Sequence, residues 1–89
     1  MTAIVESLGL VVRQLREAQA WSQEQLAERA NLNRSYVGEI ERGRTIASIV
    51  TVEKLAGALG VSLPELLTDC ERIAQRRLAQ RIRLAAIAC

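Results

Sequence analysis

Between Ser22 and Glu65 the chain alternates helix-starting and helix-stopping chemistry over short intervals, and this punctuation limits the fold more than any other feature. Ser22-Gln23-Glu24-Gln25 is a capping box, in which the Ser22 hydroxyl can accept from the Gln25 amide while the Gln25 side chain reaches back. Trp21, just before it, is placed to staple onto Leu26. Asn31 is a residue type that tolerates the left-handed conformation closing a helix, Asn33 can cap the next helix, and Gly43 can stop it. Ser48 and Gly60 bracket a further helix. Ser62-Leu63-Pro64-Glu65 is a second capping box, with Pro64 in the first turn, where its missing N–H costs nothing. Composition agrees with short packed helices. Trp21 and Tyr36 are the only aromatic residues, phenylalanine is absent, and 13 alanines stand among the apolar 49%. An interior of Leu, Ile, Val and Ala favours helices over a sheet, and 89 residues suffice for one core.

Apolar spacing assigns the helices. Leu8, Val11, Val12 and Leu15 mark a first amphipathic helix from about residue 7 to about residue 18, with Arg13, Gln14 and Glu17 outward. A second runs to about Ala30 and buries Leu26 and Ala27, and a third spans Arg34 to Arg42 with Val37 and Ile40 inward. Val52, Leu55, Ala56 and Leu59 form the stripe of a fourth, and Leu63, Leu66 and Leu67 belong to a fifth. From Asp69 onward there is no Gly or Pro, and Ile73, Leu78, Ile82 and Leu84 alternate with arginines, which predicts a sixth helix. The expected architecture is all-α: a compact five-helix domain over residues 1–67 and a C-terminal sixth helix over 68–89.

Much chemistry is excluded. Without histidine, and with only Cys70 and Cys89 as thiols, neither a zinc pattern nor an imidazole general base can be assembled. No nucleophile–base pair or phosphate loop is visible, so an enzyme, a metal site and a cofactor are not expected. Cys70 reads as a small core residue and Cys89 as a terminal thiol. Glu6, Arg13, Arg16 and Glu17 interrupt the first stretch, and no apolar run is long enough for a bilayer, so a cytoplasmic protein without membrane contact is expected. Net charge is +2, unevenly placed. Residues 1–67 carry seven basic and eight acidic side chains, whereas residues 68–89 carry five arginines against Asp69 and Glu71. Any attraction for phosphate must therefore come from a local cluster or from the tail.

Two helices joined by a three-residue turn, the second short and polar on one side, form a helix-turn-helix pattern over Ser22–Gly43. Residues 8–67 resemble the helix-turn-helix domain of the Cro/phage-repressor superfamily through the run WSQEQLAERANLNRSYVGEIERGR followed by VEKLAGALGVSLPELL. Where that family usually has Pro-Ser-Leu after the third helix, this chain has Ala47-Ser48-Ile49, which keeps the cap. The stretch from Leu32 to Val37, with Glu41-Arg42-Gly43, is similar to controller proteins of restriction-modification systems. The resemblance implies a lambda-repressor-like fold and a transcriptional regulator that binds double-stranded DNA in a sequence-specific way, as a repressor or an autoregulatory controller. It also implies a buried structural ion pair between Arg16 and Glu41.

If the third helix enters a major groove, its outward residues are Arg34, Ser35, Gly38, Glu39 and Arg42. Arg34 can bond O6 and N7 of guanine, a pairing worth about 1–3 kcal/mol of discrimination; its bland alternative is a solvated surface arginine. Ser35 is small enough to reach a base edge or a phosphate. Glu39 either accepts from a cytosine amine or orients Arg42. Tyr36 either touches DNA or covers the core edge, and Gly38 is consistent with close backbone approach. Phosphate contacts are expected from the start of the second helix, with Ser22 and Gln23, and from Arg42, Arg44 and Thr45. One such helix reads too few base pairs, so a homodimer on a pseudo-palindrome is expected. Its candidate interface is Leu63, Leu66, Leu67, Ile73, Leu78 and Ile82, the tail being alternatively a phosphate-binding arm. The competing class is an antitoxin or adaptor module whose basic tail docks an acidic partner.

Overall fold

The computed structural model describes residues 2–88, with side chains placed through Ala86; Cys89 lies outside the described residues. Among the described residues five helices follow one another: α1 (Ala3–Ala18), α2 (Gln23–Ala30), α3 (Arg34–Glu41), α4 (Ile49–Leu59) and α5 (Leu63–Ala88). Among the described residues there is no strand, and no helix is long and apolar enough to cross a membrane.

Local chemistry sets most boundaries. Ser22 Oγ accepts from the Gln25 amide at 3.1 Å and Gln25 Oε1 accepts from the Ser22 amide at 2.8 Å, closing the capping box of α2. Asn31 takes the left-handed conformation at φ 55°, which sends the Leu32 amide back to the Ala27 carbonyl at 2.8 Å. Asn33 Oδ1 accepts from the Ser35 amide at 2.8 Å, Ser48 Oγ from the Thr51 amide at 3.1 Å, and Ser62 Oγ from the Glu65 amide at 3.2 Å. α1 departs from the spacing-based reading: it begins at Ala3, although Thr2 provides no side-chain cap. Ile4 and Val5 share an apolar groove with Leu67 and Cys70, so packing on α5 extends the helix without a local start signal.

The sixth helix is not found. The chain from Leu63 to Ala88 is one 26-residue helix, and it passes unbroken through residues 67 and 68. Two physical reasons account for this. After Pro64 in the first turn no residue breaks the backbone ladder, and Leu66 and Cys70 are fully buried on either side of the expected division. At 1.5 Å per residue α5 is about 39 Å long, which explains a molecule measuring 47 × 25 × 24 Å.

The core joins all five helices. Its fully buried side chains include Val12 of α1, Leu26 of α2, Val37 and Ile40 of α3, Leu55 of α4, and Leu66 and Cys70 of α5. Burial, reinforced by neighbouring Asp69, pushes the Cys70 thiol up from 9.0 to about 11. α1 meets α3 at backbone distance: a Cβ added at Gly9 would collide with the Ile40 carbonyl oxygen and lie 2.7 Å from that of Glu41. Gly9 is thus required by close approach of two helices rather than by a turn.

Candidate nucleic-acid interface

α2 and α3 are joined by Asn31-Leu32-Asn33, and the inner faces of both helices are anchored through Leu26, Ala27, Ala30, Val37 and Ile40. This leaves the start of α2 and the outer side of α3 adjacent at the surface. The junction is tied by an ion pair with little solvent access. Arg16 Nε donates to Glu41 Oε2 at 2.7 Å and its Nη2 to Oε1 at 3.0 Å, while the Arg16 and Glu41 side chains are only 12% and 3% exposed. Arg16 Nη1 also donates to the Trp21 carbonyl at 2.7 Å, and Gln23 Nε2 donates to Glu41 Oε1 at 3.1 Å. Hydrogen bonding to Glu41 raises the Arg16 pKa, and desolvation opposes the rise. The bidentate fork fixes α1, the α1–α2 connection, α2 and α3 at one point.

The outward residues of α3 have distinct surroundings. Arg34 and Ser35 stand exposed at the start of the helix, and no side-chain hydrogen bond or ion pair engages them among the described residues. Glu39 is half-buried and accepts from Arg42 Nη2 at 3.1 Å, so this carboxylate orients the arginine on the surface of α3. Tyr36 packs on the edge of the core and its hydroxyl donates to Thr51 Oγ1 at 3.3 Å, which braces α3 against the start of α4. Gly38 is buried. The Arg42 guanidinium and Gln23 Oε1 cover it, at 3.3 and 3.5 Å from where a Cβ would stand, so its backbone is not bare for a groove to approach.

Around this face, Ser22 and Arg44 are exposed and Gln23 and Thr45 half-buried. The Gln23 amide nitrogen already serves Glu41, which leaves its oxygen, rather than a donor, toward Gly38. Of the side chains expected at a dimer interface, Leu66 lies wholly inside its own core and cannot meet a partner, and Leu63 and Ile73 pack against that core. Leu67, Leu78 and Ile82 are exposed. Sequence reasoning missed Gly9, Thr51 and Glu6. Gly9 had a signal, being a glycine inside an apolar helical run; so did Thr51, three residues beyond the Ser48 cap. Glu6, which meets Arg77 and Arg81 of α5, had none, because that proximity exists only once the helices pack.

Two capped helices in this arrangement define a helix-turn-helix module. A protein-family model described as "Helix-turn-helix" matches residues 12–66, and the chain belongs to that family. An immunity repressor protein from Bacillus phage phi105 is 41% identical over 63 residues, which make up 71% of this chain but only 44% of the repressor. The control protein C.SmaI of Serratia marcescens is 45% identical over 65 residues, covering 73% of this chain and 77% of that one. Among solved structures, the restriction-modification controller protein C.AhdI from Aeromonas hydrophila superposes with a TM-score of 0.67 at 45% identity, over 70% of this chain and 94% of its own.

Proposed function

We propose that this protein is a sequence-specific DNA-binding transcriptional regulator of the controller or phage-repressor type, acting as a homodimer on a pseudo-palindromic operator and regulating its own gene. The observation that carries this reading is the exposed, unengaged start of α3, where Arg34 and Ser35 project from a helix that Tyr36 and the Arg16–Glu41 pair brace from beneath. Arg34 reads guanine, Ser35 approaches a base edge or phosphate, and Glu39 holds Arg42 in place for a phosphate. Tyr36 braces the helix, and its ring edge adds contact. Ser22, the backbone N–H of Gln23 at the start of α2, Arg44 and Thr45 position the duplex through its backbone. Residues 1–67 carry the DNA-binding function, and the part of α5 beyond them serves assembly or phosphate contact. Exposed Leu67, Leu78 and Ile82 support a dimer, with Ile49 and Val50 of α4 adding exposed apolar surface.

Fluorescence anisotropy tests the reading. Duplexes tiling the region upstream of the gene are titrated at two salt concentrations beside a scrambled duplex. One duplex should bind at least about 10³-fold more tightly than the scramble. Arg34→Ala should weaken that duplex by about tenfold and leave the scramble nearly unchanged. Equal weak binding to every duplex would refute the reading and favour a protein-docking role.

A further inference from the structure

Residues 72–89 contain five arginines and no acidic side chain, and the fold divides four of these arginines between the two flanks of α1. On one flank, Arg72 and Arg76 lie by Gln14 and Leu15, with Arg72 paired to Asp69 at 3.4 Å. On the other, Arg77 and Arg81 converge on a single carboxylate, Glu6, at 3.4 and 3.8 Å. One carboxylate leaves one of the two positive charges uncompensated. These three side chains line a cleft of about 310 Å³ together with Leu10, Glu41, Arg42 and Gly43, the Glu41 carboxylate being already paired with Arg16. Arg42 belongs to both places, since its guanidinium also lies over Gly38 on the outer surface of α3.

We propose that Arg77 and Arg81 form, with Arg42, a second and sequence-independent contact for the phosphates of duplex DNA, in which Glu6 is the counter-ion that phosphate displaces. The proposal rests on the DNA-binding reading above and names the part of the duplex this surface takes: backbone phosphates beyond the C-terminal end of α3. Charge and exposure both fit. Arg81 is 66% exposed, Arg77 36% and Glu6 33%, so their ion pairs are water-accessible, long and exchangeable at little cost. A row of phosphates following the groove past Arg42 meets the cleft next, and two guanidiniums there release counter-ions as any cationic contact does. Arg72 and Arg76, on the opposite flank, remain outside this path.

The test compares the full chain with Arg77→Gln/Arg81→Gln, Arg77→Lys/Arg81→Lys and Arg72→Gln/Arg76→Gln. Anisotropy is measured on the scrambled duplex and on the tightest upstream duplex from about 50 to 200 mM salt, with helical circular dichroism as the control for folding. Each lost phosphate contact lowers the slope of log K against log salt by about 0.9. The Arg77/Arg81 glutamine pair should therefore lose about 1.8 in slope on both duplexes, the lysine pair should keep the wild-type slope, and the Arg72/Arg76 pair should match wild type. An unchanged slope in the Arg77/Arg81 glutamine variant, or an equal fall in the Arg72/Arg76 variant, overturns the proposal while leaving the helix-turn-helix reading intact. Wild-type protein that binds no duplex at low salt overturns both.

Discussion

Two junctions of α1, with α3 and with α5, use the same pair of residue types to opposite ends. Toward α3, Arg16 and Glu41 meet at 2.7 and 3.0 Å with almost no solvent, beside a backbone contact that only Gly9 permits. Toward α5, Glu6 meets Arg77 and Arg81 at 3.4 and 3.8 Å in a cleft open to water. In the first case removal of water makes the pair directional and costly to break; in the second, solvent screens it. An arginine and a glutamate therefore predict an ion pair but not its strength. Burial and backbone approach decide which pair holds the fold and which remains available for exchange.

The largest effect should come from breaking the buried pair. Glu41→Ala strands the Arg16 guanidinium in a poorly hydrated place and removes the acceptor of Gln23, so stability should fall by about 3–5 kcal/mol. In a domain of this size that lowers Tm by upwards of about 12 °C, readable by thermal circular dichroism. A variant melting like wild type would place the strength of the α1–α3 junction entirely in its apolar contacts. Next comes Gly9→Ala, where two effects oppose each other. Alanine improves helix propensity by about 0.8–1.0 kcal/mol, but its methyl group collides with the Ile40 carbonyl and must push α1 away from α3, at about 1–3 kcal/mol. The neighbour is backbone and cannot swing aside, so a net loss in the urea midpoint is expected. A gain would show that α1 and α3 separate easily.

How far this asymmetry was legible in the sequence depends on the range of the interactions. Ser22, Asn31, Asn33, Ser48 and Gly60 act within a few residues of themselves, and each ends or starts a helix where its chemistry says it should. The helix-turn-helix was therefore readable from local signals alone. The start of α1 and the continuity of α5 were not, because Ile4, Val5, Leu66 and Cys70 are organised by contacts between distant segments. At the candidate site, the outward places of Arg34 and Ser35 follow from helical spacing. The covering of Gly38 does not, since it depends on where Arg42 and Gln23 turn once Glu39 and Glu41 hold them.

The α5 flank of α1 carries its own titratable marker. Cys70 borders the groove of Ile4, Val5 and Leu8, and burial raises its pKa from 9.0 to about 11. A thiol with a raised folded pKa keeps its proton where the unfolded chain has lost it, so the unfolded state binds fewer protons between these values. Its contribution is intact below about pH 9 and is lost as pH rises from about 9 to about 11. Urea midpoints of wild type and Cys70→Ala should therefore converge with increasing pH over that window, the wild type losing more. Parallel curves would mean that the α5 junction opens enough to hydrate the thiol.

The smallest stability effect should come from Glu6→Gln, and its smallness is the informative result. If the outer pairs only screened one another in water, replacing the carboxylate should change stability by less than about 1 kcal/mol, against the several expected for Glu41. The glutamine keeps the length of the side chain, including the Cβ and Cγ atoms that pack near Gly43, so the substitution isolates charge from packing. A melting curve close to wild type would show that Arg77 and Arg81 are not needed in their resting pairs to hold α5 on α1. They would then be free to exchange a carboxylate for a phosphate without loosening the helix that carries them. A fall as large as that of Glu41→Ala would reverse the comparison, making Glu6 a structural tie and leaving its arginines too committed to serve a duplex.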